Sequence, residues 1–151
     1  MTLVDRPELL VAGYAVRTDN AAEADPARGQ LPGLWQRATA PDAFAGVPGR
    51  ADDRMYAVLT DYESDHHGAY TQIVGVAVTD STAVPDAMTT VRVPAARCLL
   101  VPARGPMPQA LIEAWRGVWR HTDAGVTPAR TFTTDLEIHH ADGADIYLAV
   151  S

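Results

Sequence analysis

Two stretches of this chain present the same order of residue types. Arg54–Val78 reads RMYAVLTDYESDHHGAYTQIVGVAV, and Arg130–Val150 reads RTFTTDLEIHHADGADIYLAV. Each starts on an arginine and runs through β-branched and aromatic residues to an acidic D-x-E tripeptide. Each then turns at a polar segment containing Gly-Ala and ends on an apolar run. Glu63 and Glu137 stand 74 positions apart and the turn glycines Gly68 and Gly143 stand 75 apart, close to half of the 151 residues. Self-similarity at that period predicts one domain of two like halves, about 5–80 and 86–151, facing each other across a shared seam. Such a seam is a natural place for a small-molecule pocket.

The rest of the chain fits that division. Glu8–Thr18 is apolar and β-prone and stops at Asp19-Asn20, which predicts a strand. Asp25 ahead of Pro26, with Leu31, Leu34, Trp35 and Ala38 at helical spacing, predicts a short helix that Pro32-Gly33 interrupts or kinks. Pro41–Asp53 reads as a loop, and Met55–Tyr62 and Tyr70–Val78 as a strand pair. Thr79–Ala87 is polar and turn-rich, a connector between halves. Met88–Val93 and Arg97–Val101 are strand-like. Pro108 opens a helix with Leu111, Ile112, Trp115, Val118 and Trp119 on one face, and the last strand pair spans Thr131–His139 and Asp145–Val150. Strand, helix, strand, strand in each half is an α+β plan: a mainly antiparallel sheet with two helices on one face and a ligand cleft at the pseudo-two-fold seam.

Composition narrows the function. At 47% hydrophobic and 21% charged, the chain has the makeup of an ordinary globular domain. A net charge of −7, with most of the 12 basic residues isolated arginines, leaves no basic footprint to displace counterions, so direct nucleic-acid contact is not expected. Cys98, the one cysteine, cannot form an internal disulfide, and its apolar run RCLLV suits a free thiol in a reducing cytoplasm. The N-terminus lacks the pattern of a signal peptide, and no run approaches the length of a membrane span.

Strand periodicity suggests where charge is placed. From Thr131 onward, Phe132, Leu136 and Ile138 share one face and Asp135, Glu137 and His139 the other. Assigning the first face to a helix-covered core, with Ile146, Leu148 and Val150, puts Glu137 and Tyr147 together on the side away from the helices. A carboxylate beside a ring suits a flat or cationic organic molecule. Proteins seldom hold a carboxylate in an apolar cleft for packing alone, because its desolvation costs several kcal/mol; the plain alternative is a solvated sheet residue.

YAVLTDYESDHHGAYTQIVGVAV, the helix signature WRGVW at Trp115–Trp119 and the closing RTFTTDLEIHHADGADIYLAV resemble the gyrase-inhibitor-like effector-binding domains. These domains serve as ligand sensors in AraC- and MerR-type transcription regulators and also stand alone. LVAGYAVRT, LPGLWQR and VRVPAARCLLV fall in the expected order, so the likeness spans essentially the whole chain. The resemblance implies a duplicated strand-helix-strand-strand fold. Its pocket would bind amphipathic, often cationic compounds, as in multidrug binding, between aromatic rings with a buried glutamate as charge partner. The family's late glutamate corresponds to Glu137 in Asp135-Leu136-Glu137, where Leu136 replaces an aromatic residue, and its helix tryptophans to Trp115 and Trp119. Such regulators carry a DNA-binding domain ahead of the sensor. This chain starts at the sensor's first strand, so it is not expected to be a complete DNA-binding regulator.

The expected binding residues are therefore Glu137, Tyr147, Trp115 and Trp119, with Trp35 and with Phe44 in a loop that could act as a lid. Glu63 matches Glu137 in the repeat but begins a polar turn. The expected partner is a hydrophobic, cationic small molecule, sensed or sequestered. Two alternatives stand beside this: hydrolysis of strained electrophiles with Glu137 as general base and Tyr147 as donor, and a protein-interaction module of the gyrase-inhibitor kind. No metal and no cofactor are expected. His66-His67 and His139-His140 are adjacent pairs whose members diverge on a strand, no C-x-x-C or helical H-x-x-x-H exists, and the glycines form no phosphate cradle. Nucleophilic catalysis lacks a G-x-S-x-G motif or an activated cysteine.

Overall fold

A computed structural model describes residues 1–81 and 84–151. Its elements run β1 (Thr2–Arg6), β2 (Leu9–Thr18), α1 (Asn20–Glu23), α2 (Leu31–Ala38), β3 (Met55–Thr60) and β4 (Tyr70–Val78), then β5 (Thr89–Val93), β6 (Ala96–Ala103), α3 (Gln109–Asp123), β7 (Thr134–His140) and β8 (Gly143–Ala149). All eight strands form one sheet in the order β1-β6-β8-β7-β3-β4-β2-β5, every pairing antiparallel.

That order reads as a palindrome about the β7–β3 junction if β1 is matched with β5, β6 with β2, β8 with β4, and β7 with β3. The expected α+β plan of β2-α2-β3-β4 and β6-α3-β7-β8 is therefore present. What periodicity did not reveal is β1, a five-residue strand that is largely exposed. It pairs with β6 of the second half, while β5 pairs with β2 of the first. The halves thus exchange their outermost strands. Thr82 and Ala83 of the expected connector lie outside the described residues.

Pro32-Gly33 opens α2 instead of interrupting it. Proline in the first turn forgoes an N–H that would have no intrahelical partner there, and its fixed φ favours helix entry. Glu23, at the end of α1, supplies the missing cap: its carboxylate accepts from Gln30 N at 2.8 Å and Leu31 N at 3.1 Å. An acid at a helix N-terminus also complements the macrodipole.

Both longer helices lie on one face of the sheet. α2 packs Leu34 and Ala38 against Ala12, Ala57, Val74 and Val76. α3 packs Trp115 and Val118 against Leu59, Leu99, Ile146 and Leu148. Ala57 and Leu59 are two apart on β3, so the two clusters share a side. The opposite side gathers Val11, Tyr56, Val58, Ile73, Val93 and Leu136. Gly13 and Gly75 are paired on β2 and β4 on that side; a Cβ at Gly75 would lie 1.9 Å from the Ala12 carbonyl oxygen, so only glycine permits this approach.

Candidate functional site

Glu137 lies in the middle of β7, opposite Ala57 of β3 and Ile146 of β8. Ala57 and Ile146 belong to the two helix-side clusters, so the carboxylate points under the helices, at the β7–β3 junction. It is 3% exposed. Trp115 Nε1 of α3 donates to Glu137 Oε2 at 2.6 Å, and His139 Nε2 lies 2.8 Å from Glu137 Oε1. The His139 ring in turn packs against Trp35 of α2, centroids 4.6 Å apart. A chain of contacts therefore runs from one helix to the other through the glutamate.

A cavity of about 480 Å³ opens between the helices over this junction. Leu31 and Trp35 of α2, Leu111, Trp115 and Trp119 of α3 and Leu59 of β3 give it apolar and aromatic walls. Glu137, Glu23, Tyr62, Tyr70, Gln72 and Arg130 supply polar groups, with Asn20, His66 and Arg116 beside them. The Tyr70 phenol is held well above its ordinary range, first by burial and then by the negative fields of Glu23 and Glu137. Tyr62 is likewise raised, by burial and by Asp135.

Arg130, on the cavity wall, and Asp135 form a buried ion pair in which Arg130 Nε and Nη1 have no hydrogen-bond partner. Asp135 is fully buried and accepts from Ala149 N at 2.8 Å, Tyr62 Oη at 2.5 Å and Arg130 Nη2 at 2.7 Å. The guanidinium, its side chain 5% exposed, lies 4.3 Å from the Phe132 ring centroid. Arg116, also on the cavity wall, pairs with Glu113 at 2.8 Å. The cavity's arginines are thus matched by carboxylates. Among the described residues, neither Glu23 nor Glu137 pairs with an arginine. With His139, the ion-pair partner of Glu137, counted as neutral, the imbalance left at the cavity is negative.

The structure brings Glu137, Trp115, Trp119 and Trp35 to this cavity and leaves two expected residues elsewhere. Tyr147 pairs with Leu136, one position out of phase with Glu137, and its ring belongs to the cluster on the opposite side of the sheet. The alternation within β7 is as read. For β7 the face assigned to the helices was the wrong one, because Leu136 and Ile138 find apolar partners on the far side, whereas Ile146, Leu148 and Val150 do face the helices as expected. The pairing of Glu137 as base with Tyr147 as donor is therefore not formed; the phenols near Glu137 are Tyr62 and Tyr70. Phe44 packs in the first-half core against Tyr14, ring centroids 5.8 Å apart, and does not line the cavity. Glu63 is exposed beyond the end of β3, where Asp61 turns the chain out of the sheet with φ 52°.

The histidine pairs behave differently from each other. His139 and His140 diverge as strand neighbours should, toward Glu137 and Asp145 respectively. His66 and His67 sit in a turn, where that rule does not apply. Their Nε2 atoms approach to 3.0 Å, and His66 is 6% exposed.

The family model for integron-associated effector binding proteins, Cass2, matches residues 2–150. VCH_CASS2, an integron cassette protein from the mobile metagenome of Vibrio cholerae, superposes with a TM-score of 0.84 at 28% identity, over 99% of this chain and 95% of its own. A Bacillus subtilis (strain 168) protein, YobU, named for transcriptional regulation, is 28% identical over 148 residues, 92% of this chain and 90% of its own length. SAV2435, solved bound to tetraphenylphosphonium, shares the fold with a TM-score of 0.77 at 14% identity, over 99% of this chain and 93% of its own. The gyrase-inhibitor-like fold expected from the motif order is the fold observed. No helix among the described residues is long and apolar enough to cross a membrane.

Proposed function

We propose, since this chain belongs to the integron-associated effector binding protein family, that the cavity between α2 and α3 takes up a hydrophobic organic cation, for sensing or sequestration. The observation that carries this reading is the buried Glu137 carboxylate, fixed by the Trp115 indole, without an arginine partner, on a cavity walled by ring faces. A desolvated carboxylate attracts a cation far more strongly than an exposed one. Trp35, Trp115 and Trp119 offer the quadrupolar faces that a bound cation also favours. Glu23 adds a second negative group on the α1 side, although its oxygens already accept from Thr18 Oγ1 and two backbone amides.

Titration of tetraphenylphosphonium and its uncharged counterpart triphenylphosphine oxide, followed by tryptophan fluorescence, tests this. Wild type is expected to bind the cation at least ~10-fold more tightly, about 1.4 kcal/mol, and Glu137→Gln to abolish the difference. Equal affinity of wild type and Glu137→Gln for the cation would remove the electrostatic role.

A further inference from the structure

At the cavity wall, to which His66 belongs, the turn between β3 and β4 meets the end of α3. His66 Nε2 lies 2.9 Å from Asp123 Oδ1, and His67 Nε2 lies 4.0 Å from the same oxygen. With the two Nε2 atoms 3.0 Å apart, three ligand-type atoms lie within 4.8 Å of one another. We propose that His66, His67 and Asp123 form a binding site for a divalent transition-metal ion of the zinc type.

Several observations converge on this. Zinc bonds of about 2.0–2.2 Å in tetrahedral geometry set neighbouring donor atoms roughly 3.3 Å apart, and the three separations straddle that value. Two imidazole nitrogens and one carboxylate oxygen suit zinc, nickel or copper better than calcium or magnesium, which prefer all-oxygen shells. His66 Nε2 faces two potential acceptors, the His67 ring nitrogen and the Asp123 oxygen, and a neutral ring offers at most one proton there. A divalent cation would satisfy all three lone pairs together.

Charge placement agrees. Asp123 is the last residue of α3, so its carboxylate stands at the negative end of a 15-residue helix. An acid there is unfavourable by itself, and a cation relieves it. The ligand-bearing turn is held independently of any metal: Asn20 Nδ2 donates to the His66 carbonyl at 2.8 Å, and Asp65 Oδ1 accepts from His67 N, also at 2.8 Å. His67 and Asp123 are 76% and 63% exposed, which gives the ion a path in and leaves a coordination position for water.

His66 is shared with the cavity wall, so the site is tested through its other two ligands, His67 and Asp123, which do not line the cavity. Isothermal titration of tag-free protein with Zn²⁺ is expected to show one saturable site, with Ca²⁺ and Mg²⁺ giving no heat of binding. Co²⁺ should report it through the visible absorption of a low-symmetry nitrogen and oxygen shell. Loss of a direct ligand should weaken the affinity by more than the ~10–100-fold typical of outer-shell changes, in both His67→Ala and Asp123→Asn. Both positions are exposed, so the fold is expected to survive, and a circular-dichroism melt of each variant checks it. His140→Ala, on the far side of β7, should bind as wild type does. Absence of Zn²⁺ binding, or binding that persists in both His67→Ala and Asp123→Asn, would overturn the assignment.

Discussion

Trp115 and Glu137 are joined by one hydrogen bond, indole Nε1 to carboxylate Oε2 at 2.6 Å, which ties the middle of α3 to the middle of β7. The helix orients the charge, and the charge fixes the rotamer of the ring. Trp115→Phe keeps a ring on the cavity wall but removes the donor. Hydrogen bonds to charged groups contribute about 1.5–3 kcal/mol, so unfolding in urea should show a loss of that size, with the slope of the transition unchanged.

Asp135 should matter more to stability than any residue on the cavity wall. Asp135→Asn leaves the Arg130 guanidinium buried without its counter-charge, and breaking one side of a buried pair costs about 3–5 kcal/mol. Removing both in Asp135→Asn/Arg130→Met should cost less than the two single losses added together, a coupling that a double-mutant cycle in urea measures directly.

Glycine positions should divide sharply. Gly75→Ala would force a Cβ to 1.9 Å from the Ala12 carbonyl oxygen and 2.6 Å from Gly13 Cα, both backbone atoms that cannot step aside. Folded protein is expected to be lost. Gly33 in α2 has no atom within 4 Å of its would-be Cβ, so Gly33→Ala should raise stability by about 0.5–1 kcal/mol, read as a higher urea midpoint.

Alkaline titration carries a definite sign. Tyr56 is raised to about 12, by burial and by its hydrogen bond to Asp52, and Tyr62 and Tyr70 are raised as well. These phenols ionise near 10 in the unfolded chain. Their contribution to stability is therefore fully present below about pH 10, and for Tyr56 it declines through the interval up to about 12. Urea midpoints should fall across that interval. Tyrosinate absorbance of the folded chain should lag that of the unfolded chain.

How far the sequence reveals this molecule depends on which force sets each feature. The strands β2, β3, β4, β7 and β8 and the helix α3 follow from local periodicity and were legible within a few residues. The strand β1 was not, because TLVDR buries little and owes its conformation to pairing with β6 across the fold. Glu137 was visible as a charge in a β-prone run, and the motif order marked it. Its side of the sheet was not visible, since alternation orders neighbours relative to each other while both faces here are apolar. Glu137 was set on the wrong side for that reason, and Tyr147, which does lie away from the helices, was wrongly joined to it. Tyr62, Tyr70 and Glu23 reach the cavity through tertiary packing. Only the arginine that leads the second repeat, Arg130, carried any local sign of importance. The convergence of His66 and His67 on Asp123 was not visible, because it depends on the end of α3 meeting their turn across the fold.

The exchange of β1 and β5 has a consequence for how this molecule could be divided. Cut between β4 and β5, each fragment would carry away the other's border strand, exposing raw backbone along β6 in one piece and β2 in the other. Such fragments are expected to be sticky alone and to recombine when mixed. Two like units laced together in this way are hard to part.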